Sequence, residues 1–76
     1  MKTEQRKWFK DKMKTLMQKA SIHRTEMPAK LNLKPKTFYS YLEARAEPSA
    51  LTIKKFCLIV GISVDEFLSD IPDIEV

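Results

Sequence analysis

The sequence predicts an all-α fold of five short helices. Three observations point to it. Apolar residues recur every three or four positions along most of the chain. No stretch alternates apolar and polar residues as a half-buried strand would. Residues that stop or start helices stand at Ser21, Asn32, Pro35, Pro48-Ser49 and Gly61-Ile62-Ser63.

The first segment, about residues 4–20, carries Phe9, Met13, Leu16, Met17 and Ala20 as one helical stripe, with Trp8 at its edge. Lys10, Lys12, Lys14 and Lys19 fall mostly off that stripe. Ser21 marks a break, after which Ile22 points inward. Thr25 is the expected N-cap of a short second helix. Pro28 is then its third helical residue, where a missing N–H is no loss, and Met27 and Leu31 face the core. Asn32 ends this helix, because Asn tolerates a left-handed backbone better than any residue but Gly. Leu33 turns inward. Lys34 is held extended by the proline after it, and Pro35 takes the first position of a third helix.

Phe38, Tyr41 and Leu42 make the packed face of the third helix, leaving Lys36, Thr37, Tyr39 and Ser40 on the other. Residues 44–48 form a loop closed by Pro48. Ser49 caps a fourth helix with Ile53, Phe56, Cys57 and Val60 inward, and Gly61 stops it. Ser63 and Glu66 form a capping box opening a fifth helix with Val64, Phe67 and Leu68. The last eight residues are a frayed tail or a short extended segment.

Seventy-six residues make one domain with a modest core. The expected division is a folded domain over 1–68 and an acidic C-terminal tail over 69–76. The net charge of +4 is unevenly spread: residues 1–60 hold all fourteen Lys and Arg against five acids, and residues 61–76 hold five acids and no base. A basic body with an acidic tail fits a polyanionic partner; a solvated lysine-rich surface fits the charge equally well.

The single Cys57 excludes an internal disulfide and a cysteine zinc site. It lies on an apolar stripe, as a small buried hydrophobe would. The lone His23 has no second His or Cys to share a metal and is expected at the surface. No Ser-His-Asp set or glycine-rich phosphate loop stands out, and the core is too small to wall a typical ligand cavity. Neither catalysis, a cofactor nor a small-molecule substrate is expected. The longest apolar runs fall far short of the roughly 20 residues that span a bilayer. No secretory signal is visible, and one unpaired thiol suits a reducing compartment, so a cytoplasmic location without a membrane partner is expected.

Leu16, Ile22, Met27, Leu31 and Leu33 form an apolar pattern around the turn residue Asn32. With Thr37-Phe38, Pro48-Ser49 and the closing run Gly61-Ile62-Ser63-Val64-Asp65-Glu66-Phe67-Leu68, this pattern resembles the phage-repressor and Cro-like family of lambda-repressor-like domains. The resemblance runs without a gap from about Asp11 to Leu68. It implies a five-helix DNA-binding domain whose second and third helices form a helix-turn-helix, the third lying in the major groove.

Carried over by position, Pro35, Lys36 and Ser40 stand at base-reading sites, flanked by Lys34 and Thr37. Arg24 matches a phosphate-contacting position, and Arg45 lies where the family often has a basic backbone contact. The chain departs from the pattern at Pro28, where a small Ala is usual, at Pro35, which can donate nothing, and at Leu42, often Glu. Ala44 replaces a Gly, which costs about 1 kcal/mol if a left-handed turn is needed there.

Lys36 can donate to guanine O6 and N7. Lys34 and Arg45 would hold phosphates and position the helix. Thr37 and Ser40 serve base or phosphate, with Thr37 equally able to cap the third helix. Tyr39 packs on sugar or a thymine methyl, or lies at a protein interface. The resulting expectation is a DNA-binding transcriptional regulator of phage, mobile-element or bacterial type, its partner double-stranded DNA. A homodimer would let it read a palindrome. Ile71, Ile74 and Val76 would pair as a strand across the two-fold axis, or belong to a disordered tail. The alternative is a protein-interaction module on the same fold, an antirepressor or adaptor, favoured by Pro35, Glu43 and Glu47.

Overall fold

A computed structural model describes residues 3–72. Its helices are α1 (Thr3–Lys19), α2 (Met27–Lys30), α3 (Pro35–Leu42), α4 (Ala50–Val60) and α5 (Val64–Leu68), with no strand among the described residues. α1 packs on α3, α2 on α3, and α4 on α5.

α1 buries Gln5, Phe9, Met13 and Met17, each four residues from the last and therefore on one face. Gln5 extends the expected stripe by a turn, and its polarity concealed it. Glu4 in the first turn and Lys19 in the last complement the helix dipole.

Four helices end by the same device. Ser21, Asn32, Ala44 and Gly61 take positive φ values of 57°, 58°, 59° and 81°. In each case the next N–H reaches back five residues. Ile22 donates to the Met17 carbonyl at 3.0 Å, Leu33 to Pro28 at 2.9 Å, Arg45 to Ser40 at 2.9 Å and Ile62 to Cys57 at 3.0 Å. This Schellman-type closure satisfies a carbonyl that the helix end would orphan, and it redirects the chain within two residues. Ala44 therefore does occupy a left-handed turn, the conformation for which Gly carries no penalty.

The entry to α2 differs from expectation. Thr25 is not its N-cap: the helix starts at Met27 behind Glu26, with no side-chain cap. A cap at Thr25 would accept from the N–H three residues on, but that residue is Pro28, which has none. His23 organises the turn instead. Its Nδ1 accepts the Thr25 N–H at 3.2 Å and pairs with the Thr25 hydroxyl at 2.8 Å, while its carbonyl accepts the Glu26 N–H at 2.9 Å. His23 is exposed, as its lack of metal-binding partners suggests. Met27, Pro28 and Leu31 are buried.

The other caps form where the sequence puts them. Lys34 is extended (φ −69°, ψ 142°) ahead of Pro35. Ser49 Oγ accepts the Thr52 N–H at 3.2 Å, and Ser63 Oγ the Glu66 N–H at 3.0 Å. Phe38, Tyr41, Leu42, Ile53, Phe56, Cys57 and Phe67 are buried. Burial pushes the Cys57 thiol pKa up. Val60 is only half-buried. Val64, expected inward, is exposed at the rim, while Ile62, Leu68 and Ile71 pack against the core.

At that end of the core four rings converge. Phe67 meets Trp8 at 5.7 Å, Phe56 at 5.8 Å and Phe9 at 6.2 Å between centroids, and Trp8 meets Phe9 at 5.0 Å. Beyond α5 the chain folds back on α1. The Lys12 ammonium donates to the Asp70 carboxylate at 2.9 Å and sits 5.8 Å over the Trp8 ring. Ile71 packs against the core. Ile74 and Val76, the rest of the expected strand, lie outside the described residues.

Candidate nucleic-acid interface

Four residues join α2 to α3, beginning with Leu31, the buried C-cap of α2. Asn32 supplies the left-handed backbone, Leu33 packs against the core, and Lys34 is held extended by Pro35. α3 is then fixed by its buried Phe38, Tyr41 and Leu42. At 3.6 residues per turn its remaining side chains must face outward. Lys34, Pro35, Lys36 and Thr37 are exposed, and Tyr39 and Ser40 half-buried.

The leading end of α3 has an unusual electrostatic make-up. Pro35 has no N–H, and the first backbone donor bonded within the helix is Phe38, to the Lys34 carbonyl at 3.2 Å. The N–H groups of Lys36 and Thr37 have no intrahelical acceptor, no side chain caps them, and no acid occupies the first turn. Lys34 and Lys36 add two ammonium groups to the positive pole of the helix dipole. A charge of the favoured sign at a helix end is worth about 0.3–1 kcal/mol, so these lysines are placed against the dipole, and a bound anion would relieve both. Thr37 is not the local cap that its hydroxyl allowed.

Ser40 Oγ donates to the Thr37 carbonyl at 2.6 Å. Its single proton is thus engaged, and what it offers outward is an acceptor, suited to the amino groups of adenine or cytosine. The Arg24 guanidinium lies 5.0 Å from the centre of the Tyr39 ring. This cation–π contact ties the segment before α2 to the outward side of α3. Arg45, past the end of α3, is exposed and stands 3.4 Å from the Glu43 carboxylate. An exposed pair of this kind is worth roughly 0–1 kcal/mol and exchanges readily for a phosphate. Glu47 stands 4.0 Å from Arg6 Nε, linking the loop after α3 to α1.

Lys34 through Ser40 come together because they share one helix. Arg24 joins them through a tertiary contact across fifteen positions, for which no sequence signal exists. The pairing of Glu43 with Arg45 has no spacing signal, because residues two apart on a helix do not face each other, and it forms across the left-handed turn at Ala44. The role of His23 in the turn before α2 was visible only once Pro28 is seen to defeat a Thr25 cap.

Two helices joined by a four-residue reversal, the second presenting an uncapped cationic end, define a helix-turn-helix domain. A family model for the Cro/C1-type HTH DNA-binding domain matches residues 12–73, and the chain belongs to that family. No curated protein and no solved structure matches the chain. Among the described residues no helix is long and apolar enough to cross a membrane, and no group of His, Cys, Asp or Glu is placed to hold a metal ion.

Proposed function

We propose that this protein is a transcriptional regulator of the phage or bacterial repressor and Cro kind, which inserts α3 into the major groove of duplex DNA. The leading end of α3 carries this reading: uncapped N–H groups, two lysines and no acid make a site complementary to phosphate and to guanine acceptors. Lys36 reads a base edge, with Ser40 accepting from a neighbouring one and the Pro35 ring giving apolar contact. Lys34, Arg24 and Arg45 hold phosphates, and Thr37 serves either. Tyr39 orients Arg24 through their stack. A single domain reads a short half-site, so binding as a homodimer on a palindrome supplies the remaining specificity.

The test is affinity for random and selected duplexes as a function of salt. Three phosphate contacts give a slope of about −2.7 per protomer in log K against log salt. Lys36→Ala should relax preference at one base position at a cost of about 1–3 kcal/mol, while Arg24→Ala weakens all sequences alike. Equal losses for both across every sequence would refute the division of roles. The second reading, a protein-interaction module, is favoured by Leu51 and Leu58, 63% and 73% exposed on one side of α4. Shallow salt dependence, unchanged by Lys34→Glu with Lys36→Glu, would select it.

A further inference from the structure

We propose that the groove between the end of α1, the turn before α2 and the end of α3 binds a small organic anion, an apolar body carrying one carboxylate. The core is too small to wall a ligand cavity, but this groove lies outside it, where three segments meet. Its volume is about 590 Å³. Small-molecule sites span roughly 300–1,000 Å³, so the groove has the size of one.

The lining decides the class of ligand. More of the groove's surface is carbon than nitrogen or oxygen. Met17 and Leu42 lie at its base and are each only 4% exposed. The accessible carbon therefore comes chiefly from half-buried Ile22 and the side-chain stems of Lys14, Gln18 and Arg24 around it. Lys14 and Gln18 are one turn apart and form a single ridge of α1. Across from them is the turn of His23 and Arg24, fixed by the bonds between His23 and Thr25.

Two cations set the sign of the ligand's polar group. Lys14 and Arg24 both line the groove and both are exposed. The Arg24 guanidinium is held 5.0 Å from the centre of the Tyr39 ring. That contact consumes no hydrogen bond, so its N–H groups can grip a carboxylate in bidentate fashion. Asp11 is the acid in the lining, and the Lys10 ammonium stands 4.0 Å from its carboxylate. It precedes Gln18 by seven residues, about 10 Å along α1, whereas the chain turns toward Arg24 beyond Gln18. The carboxylate of the ligand therefore goes to the Arg24 end, and its apolar body lies along Ile22 and the α1 ridge.

Arg24 also couples the groove to α3. The DNA-binding reading gives the same guanidinium to a phosphate, so ligand and duplex compete for it, each weakening the other by one factor. This coupling rests on that reading; the groove site itself does not.

The probes are naphthoate and its uncharged counterpart naphthalenemethanol, each titrated into the full chain and followed by backbone amide NMR shifts. Naphthoate should bind with a Kd of about 0.1–1 mM, as expected of a ligand this small, and should move the amides of Gln18, Ile22, His23 and Arg24 most. The uncharged probe should bind about fivefold more weakly. Lys14→Gln with Arg24→Gln should bring the two probes to equal affinity. Lys54→Gln, a charge loss on α4 away from the groove, should keep the fivefold ratio. All three residues are exposed, so folding is preserved. Equal affinity of the two probes for the parent, a ratio unchanged in the Lys14 and Arg24 pair, or shifts that spread without saturating would overturn the site. With duplex DNA present, saturating naphthoate should weaken its binding about fivefold, and acetate at the same concentration should not. Undiminished duplex binding while naphthoate occupies the groove would overturn the coupling. Absence of any salt-dependent duplex binding would overturn the DNA reading and leave the groove site standing.

Discussion

Replacing Phe67 with Ala removes a side chain with no exposed surface from the point where α1, α4 and α5 meet. Its ring touches three others, Trp8, Phe9 and Phe56, at 5.7, 6.2 and 5.8 Å. Truncating a buried Phe costs about 3–5 kcal/mol in lost transfer energy and residual cavity. A domain of 76 residues has roughly 4–11 kcal/mol of stability in total. The variant should therefore lose a large part of its stability and show a substantial unfolded fraction at the low end of that range. Phe67→Leu keeps much of the volume but forfeits the ring contacts, and should cost about 1–3 kcal/mol.

α5 makes the effect global. It has five residues, far below the length at which a helix holds itself, so its position depends on this anchor. Urea denaturation followed by the fluorescence of Trp8, the single tryptophan, reads the loss from inside the cluster. The midpoint should fall with little change in slope. A loss below about 1 kcal/mol for Phe67→Ala would refute the account of the aromatic cluster and of α5 docking.

Two further predictions concern helix ends and pH. A Cβ at Gly61 would meet nothing within 4 Å, so Gly61→Ala carries only the left-handed backbone penalty of about 1 kcal/mol; a loss above about 3 kcal/mol would mean crowding instead. Ala44→Gly relieves that penalty but loosens the unfolded chain, and should change stability by less than about 1 kcal/mol, as the same denaturation would show. The hydrogen bond from the Lys12 ammonium lowers the Asp70 pKa. A carboxyl lowered on folding adds stability above its unfolded value of about 3.9, and that stability is lost as pH falls through the lower folded value. Asp70→Asn should thus differ from the parent at neutral pH and converge with it in acid, and urea midpoints that stay parallel from neutral pH into strong acid would contradict the linkage.

Much of the fold was legible because its signals are local. Apolar residues three and four apart mark Phe38, Tyr41 and Leu42 as one face, whatever they pack against. Pro35 and Gly61 act through their own backbone preferences, as Ser49 and Ser63 do through their own hydroxyls, so each works without knowledge of the rest of the chain. Thr25 misled because its capping role depends on a donor that Pro28 lacks. Gln5 and Val64 misled in opposite directions, since burial is decided by what lies across the core, and neither polarity nor periodicity contains that.

The candidate interface divides along the same line. Lys34, Pro35, Lys36, Thr37, Tyr39 and Ser40 were identifiable together because one helix of fixed pitch carries them. The sequence by itself determined where α3 begins, which side of it is free, and that its leading end is cationic and without an acid. Only the tertiary structure placed the Arg24 guanidinium on the Tyr39 ring and the ridge of Lys14 and Gln18 beside Arg24. It alone converged Trp8, Phe9, Phe56 and Phe67 under α5. Helical pitch is a property of the local backbone, whereas these contacts depend on how four chain reversals bring separate helices together.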